Sequence, residues 1–119
     1  MLDETLAGLL ASVSGGKACL LVGTDGMIVA GSGEAGDVSW ELVVASYADL
    51  VRRIGGIHRE AGIDDPFEVV VSAPAVTIVV RKVTADYALL LALGPDGVLG
   101  RARFELRRAA SRIESEVSS

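Results

Sequence analysis

Hydrophobic residues recur at spacings of three and four in three stretches of the chain, residues 2–14, 38–54 and 98–117. Such spacing places apolar side chains on one face of an α-helix, so each stretch is predicted to be a helix with one buried side. Glycine pairs follow the first two stretches, as Gly15-Gly16 and Gly55-Gly56. Because glycine readily adopts the left-handed conformation in which helices end, we expect the second helix to end or kink at its glycine pair.

Five shorter runs are rich in aliphatic and β-branched residues, and each is predicted to be a strand. These runs are residues 17–23, 27–31, 67–72, 76–83 and 87–93. Thr24-Asp25-Gly26 joins the first two runs and is typical of a tight hairpin turn. The last three runs are joined by connections too short for a parallel crossover. The sequence thus predicts one α/β (α+β) domain over residues 1–119, in the order α-β-β-α-β-β-β-α, with a five-stranded, mainly antiparallel sheet.

Composition narrows the classes of function. Half of the 119 residues are hydrophobic but only 4% are aromatic, so the core is predicted to be aliphatic. The formal net charge of −5 disfavours binding to nucleic acid or to an anionic membrane. The single cysteine, Cys19, cannot form an intramolecular disulfide and fits a reducing compartment. With acidic residues at the N-terminus and no apolar run near the length of a membrane span, we expect a cytoplasmic location without membrane insertion.

One motif invites a catalytic or cofactor interpretation. Gly31-Ser32-Gly33-Glu34-Ala35-Gly36 matches the glycine pattern of dinucleotide-binding loops. That mechanism needs a βαβ unit, whereas here the glycines follow the second arm of a hairpin, and Glu34 would face the phosphates. We therefore predict a loop in this segment, with a small-molecule or nucleotide site as the alternative. The lone His58 and the lone Cys19 supply no metal-ligand set, so no catalytic residue, cofactor or metal is predicted.

The predicted last helix carries more basic than acidic residues on its polar side. The basic residues are Arg101, Arg103, Arg107, Arg108 and Arg112. This arrangement fits either a solvated helix face or a docking patch for an acidic partner. Leu42 and Phe104 fall on the polar sides of their helices, which hints that partners cover part of the surface.

Three segments carry a resemblance to a known family: Ala18 to Ala30, Val80 to Leu93, and Gly97 to Leu106. In order and spacing, with the long second helix between the first two, they resemble the Roadblock/LC7 domain family, whose bacterial members include MglB-like and MglC-like proteins. The resemblance covers nearly the whole chain. It implies a profilin-like fold with helices on both faces of the sheet.

The resemblance also implies a homodimer in which the third strands pair edge to edge and the second helices pack side by side. An edge-to-edge pair would remove an exposed strand edge that otherwise invites aggregation. Mapped onto this chain, the dimer interface would contain Trp40, Val43, Val44, Tyr47, Val51, Ile54, Phe67, Val69 and Val71.

Finally, the resemblance implies a protein-binding role without catalytic residues. Bacterial members regulate a small Ras-like GTPase of the MglA type, or act as adaptors in the same circuits. Where such a domain stimulates GTP hydrolysis, it does so by repositioning residues of the GTPase, without an arginine finger of its own. The partner-facing surface on the second helix would contain Glu41, Leu42, Asp49, Arg52 and Arg53. Two alternatives remain: a dimeric scaffold without any GTPase partner, and a merely solvated helix face.

Overall fold

The computed structural model describes residues 2–33 and 36–118. The element order confirms the prediction, and every strand boundary lies within two residues of the predicted one. The elements are α1 (Leu2–Ser12), β1 (Gly16–Gly23), β2 (Ile28–Gly33), α2 (Trp40–Ala61), β3 (Glu68–Ser72), β4 (Thr77–Lys82), β5 (Tyr87–Leu93) and α3 (Leu99–Ser118).

The five strands form one sheet in the order β2-β1-β5-β4-β3, and all four neighbouring pairs are antiparallel. The central pair joins distant parts of the chain, because Gly16 lies opposite Leu93 and Gly23 lies opposite Tyr87. The edge strands are β2, from the β1–β2 hairpin, and β3, from the β3–β4 hairpin. The antiparallel pairing predicted from the short connections is therefore confirmed.

Strand side chains alternate between two layers of helices. Leu89 and Leu91 of β5 point toward α1 and α3, whereas Leu90 and Ala92 point toward α2. The layer under α1 and α3 contains the larger cluster of buried side chains, to which α3 alone contributes five. Those five are Ala102, Leu106, Ala109, Ala110 and Ile113. Helices thus cover both faces of the sheet, as the resemblance implied.

The second helix is longer than predicted. It passes through Gly55-Gly56 and ends at Gly62, which adopts the left-handed conformation at φ 85°. Glycine inside a helix costs about 1 kcal/mol relative to alanine, which weakens a helix without breaking it when one face is packed. Gly55 is buried, and a Cβ added there would lie 3.4 Å from Nη1 of Arg59. The glycine pair therefore lies inside α2, and the predicted end at residue 54 was wrong.

The predicted hairpin turn positions α2 against the sheet. Gly26 has φ 93°, and the side chain of Asp25 accepts a hydrogen bond of 3.1 Å from the amide of Met27. A Cβ added at Gly26 would lie 3.4 Å from Cα of Ala45, so the turn and the helix are in close contact. Glycine is required here both by the backbone conformation and by the approach of the helix.

Candidate functional site

The predicted interface residues of α2 divide into one core residue and several surface residues. Val44 is 1% exposed and lies in the cluster between α2 and the sheet. Its placement in the predicted dimer interface is therefore corrected: Val44 packs between α2 and the sheet and is not accessible to a second chain. Trp40, Val43, Tyr47 and Val51 pack against the same cluster but remain partly exposed.

An apolar stripe runs along the exposed flank of α2, and we call it the α2 seam. Its members are spaced by four, three, four and three residues: Val43, Tyr47, Leu50, Ile54 and Ile57. This is the spacing by which two helices pack side by side. Ile57 is 63% exposed and Leu50 is also exposed, which is unusual for large apolar side chains in such a pattern.

Sequence reasoning missed two members of this seam. Leu50 belongs to the apolar arc that the sequence shows and could have been included. Ile57 lies beyond the glycine pair at which the helix was expected to end, so its place on the stripe became visible only with the full length of α2.

The edge strand β3 adjoins the face that α2 covers. Among the described residues, β3 pairs only with β4, which leaves its outer backbone groups without a strand partner. Val69 and Val71 lie opposite Val80 and Ile78, and they point to the α2 side of the sheet. The other edge is different, because Leu10 of α1 packs over the end of β2.

The five residues predicted to face a partner lie on α2 as a mixed charged surface. Nε of Arg53 lies 3.1 Å from Oδ2 of Asp49, and Nη2 of Arg52 lies 3.7 Å from Oδ1 of the same carboxylate. Nη1 of Arg52 also donates a 2.6 Å hydrogen bond to the carbonyl of Thr24, which ties α2 to the β1–β2 turn. Leu42 is 66% exposed, and Glu41 is exposed beside it.

A cleft of about 340 Å³ opens between the second half of α2 and the strands β3 and β4. Arg59 and Asp65 close one side with an ion pair of 2.7 Å. His58 Nδ1 donates a 2.8 Å hydrogen bond to the carbonyl of Asp64, so both contacts fasten the loop after α2 to the helix. The side chains of His58, Arg59 and Asp65 are thus engaged in contacts that hold this loop in place.

Cys19 and the glycine-rich segment, the residues for which the sequence invited a chemical role, do not line this cleft. Burial raises the pKa of the Cys19 thiol from 9.0 to about 12, which makes it a poor nucleophile. Gly31 and Gly33 pair with Leu20 and Ala18 within the sheet, so the first half of the predicted glycine loop is strand; Glu34 and Ala35 lie outside the described residues. Within residues 2–33 and 36–118, no three metal-binding side chains come together.

None of the described helices has the length and apolar character needed to cross a membrane.

Comparison with known proteins gives structural matches. No family model matches the sequence, and no curated protein matches it. Myxococcus xanthus MglB superposes with a TM-score of 0.90 at 14% identity, covering 98% of this chain and 94% of that one. A Roadblock/LC7 domain from Streptomyces avermitilis gives 0.79 at 20% identity, with 98% of each chain covered. MglC from Myxococcus xanthus gives 0.67 at 29% identity, covering 98% of this chain and 99% of that one. The structural neighbours include Roadblock/LC7 domain proteins and Acanthamoeba castellanii profilins, and the chain has the fold that they share.

Proposed function

We propose that this chain is a homodimeric, non-catalytic protein-binding domain that regulates or scaffolds a small Ras-like GTPase of the MglA type in the bacterial cytoplasm. The proposal rests on one observation: α2 and β3 leave apolar side chains and a strand edge exposed on the same side of the sheet, in a chain with the fold of MglB and MglC. On that face the apolar α2 seam and an unpaired strand edge lie next to an exposed charged surface.

Self-association would complete the apolar part of this face. Antiparallel pairing of β3 with its copy would satisfy the outer backbone groups of both strands and extend the sheet. Val69 and Val71 would then meet their copies on the side of the sheet that faces α2, and Phe67, which directly precedes β3, would lie at the end of the paired strands. The α2 seam would pack against the seam of the second copy and cover Leu50 and Ile57, which are exposed in the single chain.

The charged surface of α2 would remain available to the GTPase. Leu42 would supply an apolar contact on the same helix as the charged side chains of Glu41, Asp49 and Arg53. Arg52 is engaged by the carbonyl of Thr24, so its role would be to fix the position of the helix. In this arrangement the chain would act on the GTPase by holding its mobile segments in place, without donating a catalytic group.

The dimer is tested first, by light scattering on a sizing column. We expect a mass near twice the chain mass of 12.3 kDa for the wild type and a monomer for Ile57→Asp, because the charge would be buried in the seam. Val98→Asp is the matched control: Val98 is similarly exposed but lies just before α3. A monomeric wild type, or equal dissociation in both variants, would contradict the proposed interface.

The GTPase is tested by capture of an MglA-type protein loaded with either GDP or a non-hydrolysable GTP analogue. We expect capture that depends on the nucleotide, and a loss of about tenfold or more in affinity for Leu42→Asp but not for Val98→Asp. A stable dimer that captures neither loaded form would instead support the alternative of a scaffold without a GTPase partner.

A further inference from the structure

A second surface lies on the opposite side of the sheet from α2, where the first turns of α3 cross β3 and β4. A groove of about 180 Å³ opens there, and we call it the α3 groove. It is lined by Glu68, Arg81, Gly100, Arg103, Phe104 and Arg107. The groove is positively charged, although the chain as a whole carries a net charge of −5.

Ion pairs hold two walls of the α3 groove in place. The side chain of Glu68 is 5% exposed and accepts hydrogen bonds from Nη1 of Arg81, at 3.2 Å, and from Nε of Arg103. The guanidinium of Arg81 also lies 5.0 Å from the ring centroid of Phe67. One carboxylate thus pairs with two guanidinium groups. The ion pairs fix the positions of both arginines, and the three side chains together carry a net charge of +1.

The neighbouring residues of α3 do not neutralise that charge. The carboxylate of Glu105 lies 3.3 Å from Nη2 of Arg101 and 3.4 Å from Nη1 of Arg108. These two ion pairs hold Glu105 on the side of α3 that faces away from the groove. Arg107 forms no ion pair with any residue that the structure describes, and its guanidinium lies 5.6 Å from the ring centroid of Phe104. Arg107 is therefore a cation in the groove wall that can take an anionic partner.

The groove also has an apolar side and open space. Phe104 is 45% exposed on the outer face of α3, and its ring is not part of the buried cluster beneath that helix. Gly100 lies one helical turn earlier, and a Cβ added there would meet no atom within 4 Å. The combination of fixed cations, an exposed ring and an open floor suits a segment that carries both carboxylates and an apolar side chain.

We propose that the α3 groove docks an acidic peptide segment of a partner protein. Carboxylates of the segment pair with Arg107 and Arg103, and an apolar side chain covers Phe104. The charge of the whole chain disfavours a long polyanion such as nucleic acid or a membrane surface, whereas a short acidic segment contacts only the groove. Because the groove and the charged surface of α2 lie on opposite sides of the sheet, a segment docked in the groove does not compete with the proposed GTPase. Glu68 belongs to β3, so the groove borders the proposed dimer interface.

The test uses fluorescence anisotropy with a labelled peptide of about a dozen residues in which Glu and Leu alternate, and a second peptide in which Gln replaces Glu. We expect saturable binding of the Glu-containing peptide and none of the Gln-containing peptide. The affinity should fall about tenfold in Arg107→Glu, and the affinity of the wild type should fall as the salt concentration is raised. Arg53→Glu on α2 makes the same charge change at another exposed helix position and should leave binding unchanged.

A second pair of variants separates the groove from general electrostatics. Gly100→Met fills the groove without altering charge, and its site has room for a side chain, so we expect a folded protein with binding reduced about tenfold. Gly8→Met, at an equally open position of α1, should bind as the wild type does.

Three results would overturn the proposal. One is the absence of saturable binding of the acidic peptide up to about 1 mM. Another is equal weakening by Arg53→Glu and Arg107→Glu, which would indicate a nonspecific effect of charge. The third is Arg107-dependent binding to vesicles of anionic lipid without binding to the peptide, which would identify a membrane contact instead.

Discussion

The two faces of the sheet use the same strands and are completed to different degrees. On one face, α1 and α3 enclose a cluster in which residues such as Leu6, Leu106 and Ile113 have no exposed surface. On the other, α2 has 22 residues, all described, of which only Val44 and Gly55 are buried. The single helix leaves an apolar flank and an adjoining strand edge open. The closed face therefore has the larger buried cluster, and the open face has the exposed apolar surface on which the proposed function rests.

The largest expected difference between the faces concerns thiol reactivity. Burial on the closed face raises the pKa of Cys19 from 9.0 to about 12, so at pH 8 its reactive thiolate should be about a thousandfold scarcer than in the unfolded chain. In the variant Leu42→Cys we expect one thiol to react rapidly with a thiol reagent, and the second only in urea. Rapid labelling of Cys19 in the native wild type would mean that the closed face opens readily.

The same pKa fixes the sign of a pH effect. The unfolded thiol ionises near 9.0, whereas the folded one stays neutral up to about 12. The stability gained by burying the neutral thiol is therefore present below pH 9 and decreases as the pH rises toward 12. A Cys19→Ala variant should lose this part of the alkaline dependence in urea unfolding.

The next difference is in the free energy of unfolding. Leu106→Ala removes a fully buried side chain from the closed face and should cost about 3 kcal/mol. Leu42→Ala on the open face removes a side chain of the same size that is 66% exposed, and it should change stability by less than about 0.5 kcal/mol. Urea denaturation measures both. Similar losses would remove the distinction between the two faces.

The smallest expected effect lies within α2 itself. Gly56 is helical, and a Cβ added there meets nothing within 4 Å, so Gly56→Ala should stabilise the chain by up to about 1 kcal/mol. Gly15→Ala is the contrasting control, because φ is 79° there and the added Cβ would lie 2.6 Å from the amide nitrogen of Gly97. A destabilising Gly56→Ala would indicate that another chain approaches α2 closely at this glycine.

Local patterns predicted the elements because each depends on residues that are near in sequence. The aliphatic and β-branched runs of the strands, the Thr24-Asp25-Gly26 turn and the helical stripes are each patterns within a single element or turn. The end of α2 escaped prediction because packing against the sheet outweighs the low helical propensity of Gly55-Gly56. Tertiary context decided that boundary.

The candidate sites depend more on long-range geometry. The predicted partner residues are brought to one helix surface simply because they lie on one helix. The α3 groove could not be predicted, because Glu68 and Arg103 are 35 residues apart and meet only through the register of β3 with β4 and the position of α3. The sequence showed an excess of arginine on the last helix, but not which arginines already had partners.

The pairing of β1 with β5 constrains when this chain can fold. Residues 16–23 are synthesised well before their hydrogen-bonding partner at the centre of the sheet, residues 87–93. Loop-closure entropy must be overcome over most of the chain before the middle of the sheet exists. We therefore expect nascent chains to remain unfolded until β5 and α3 have emerged from the ribosome, with the valine-rich β3 and β4 exposed meanwhile.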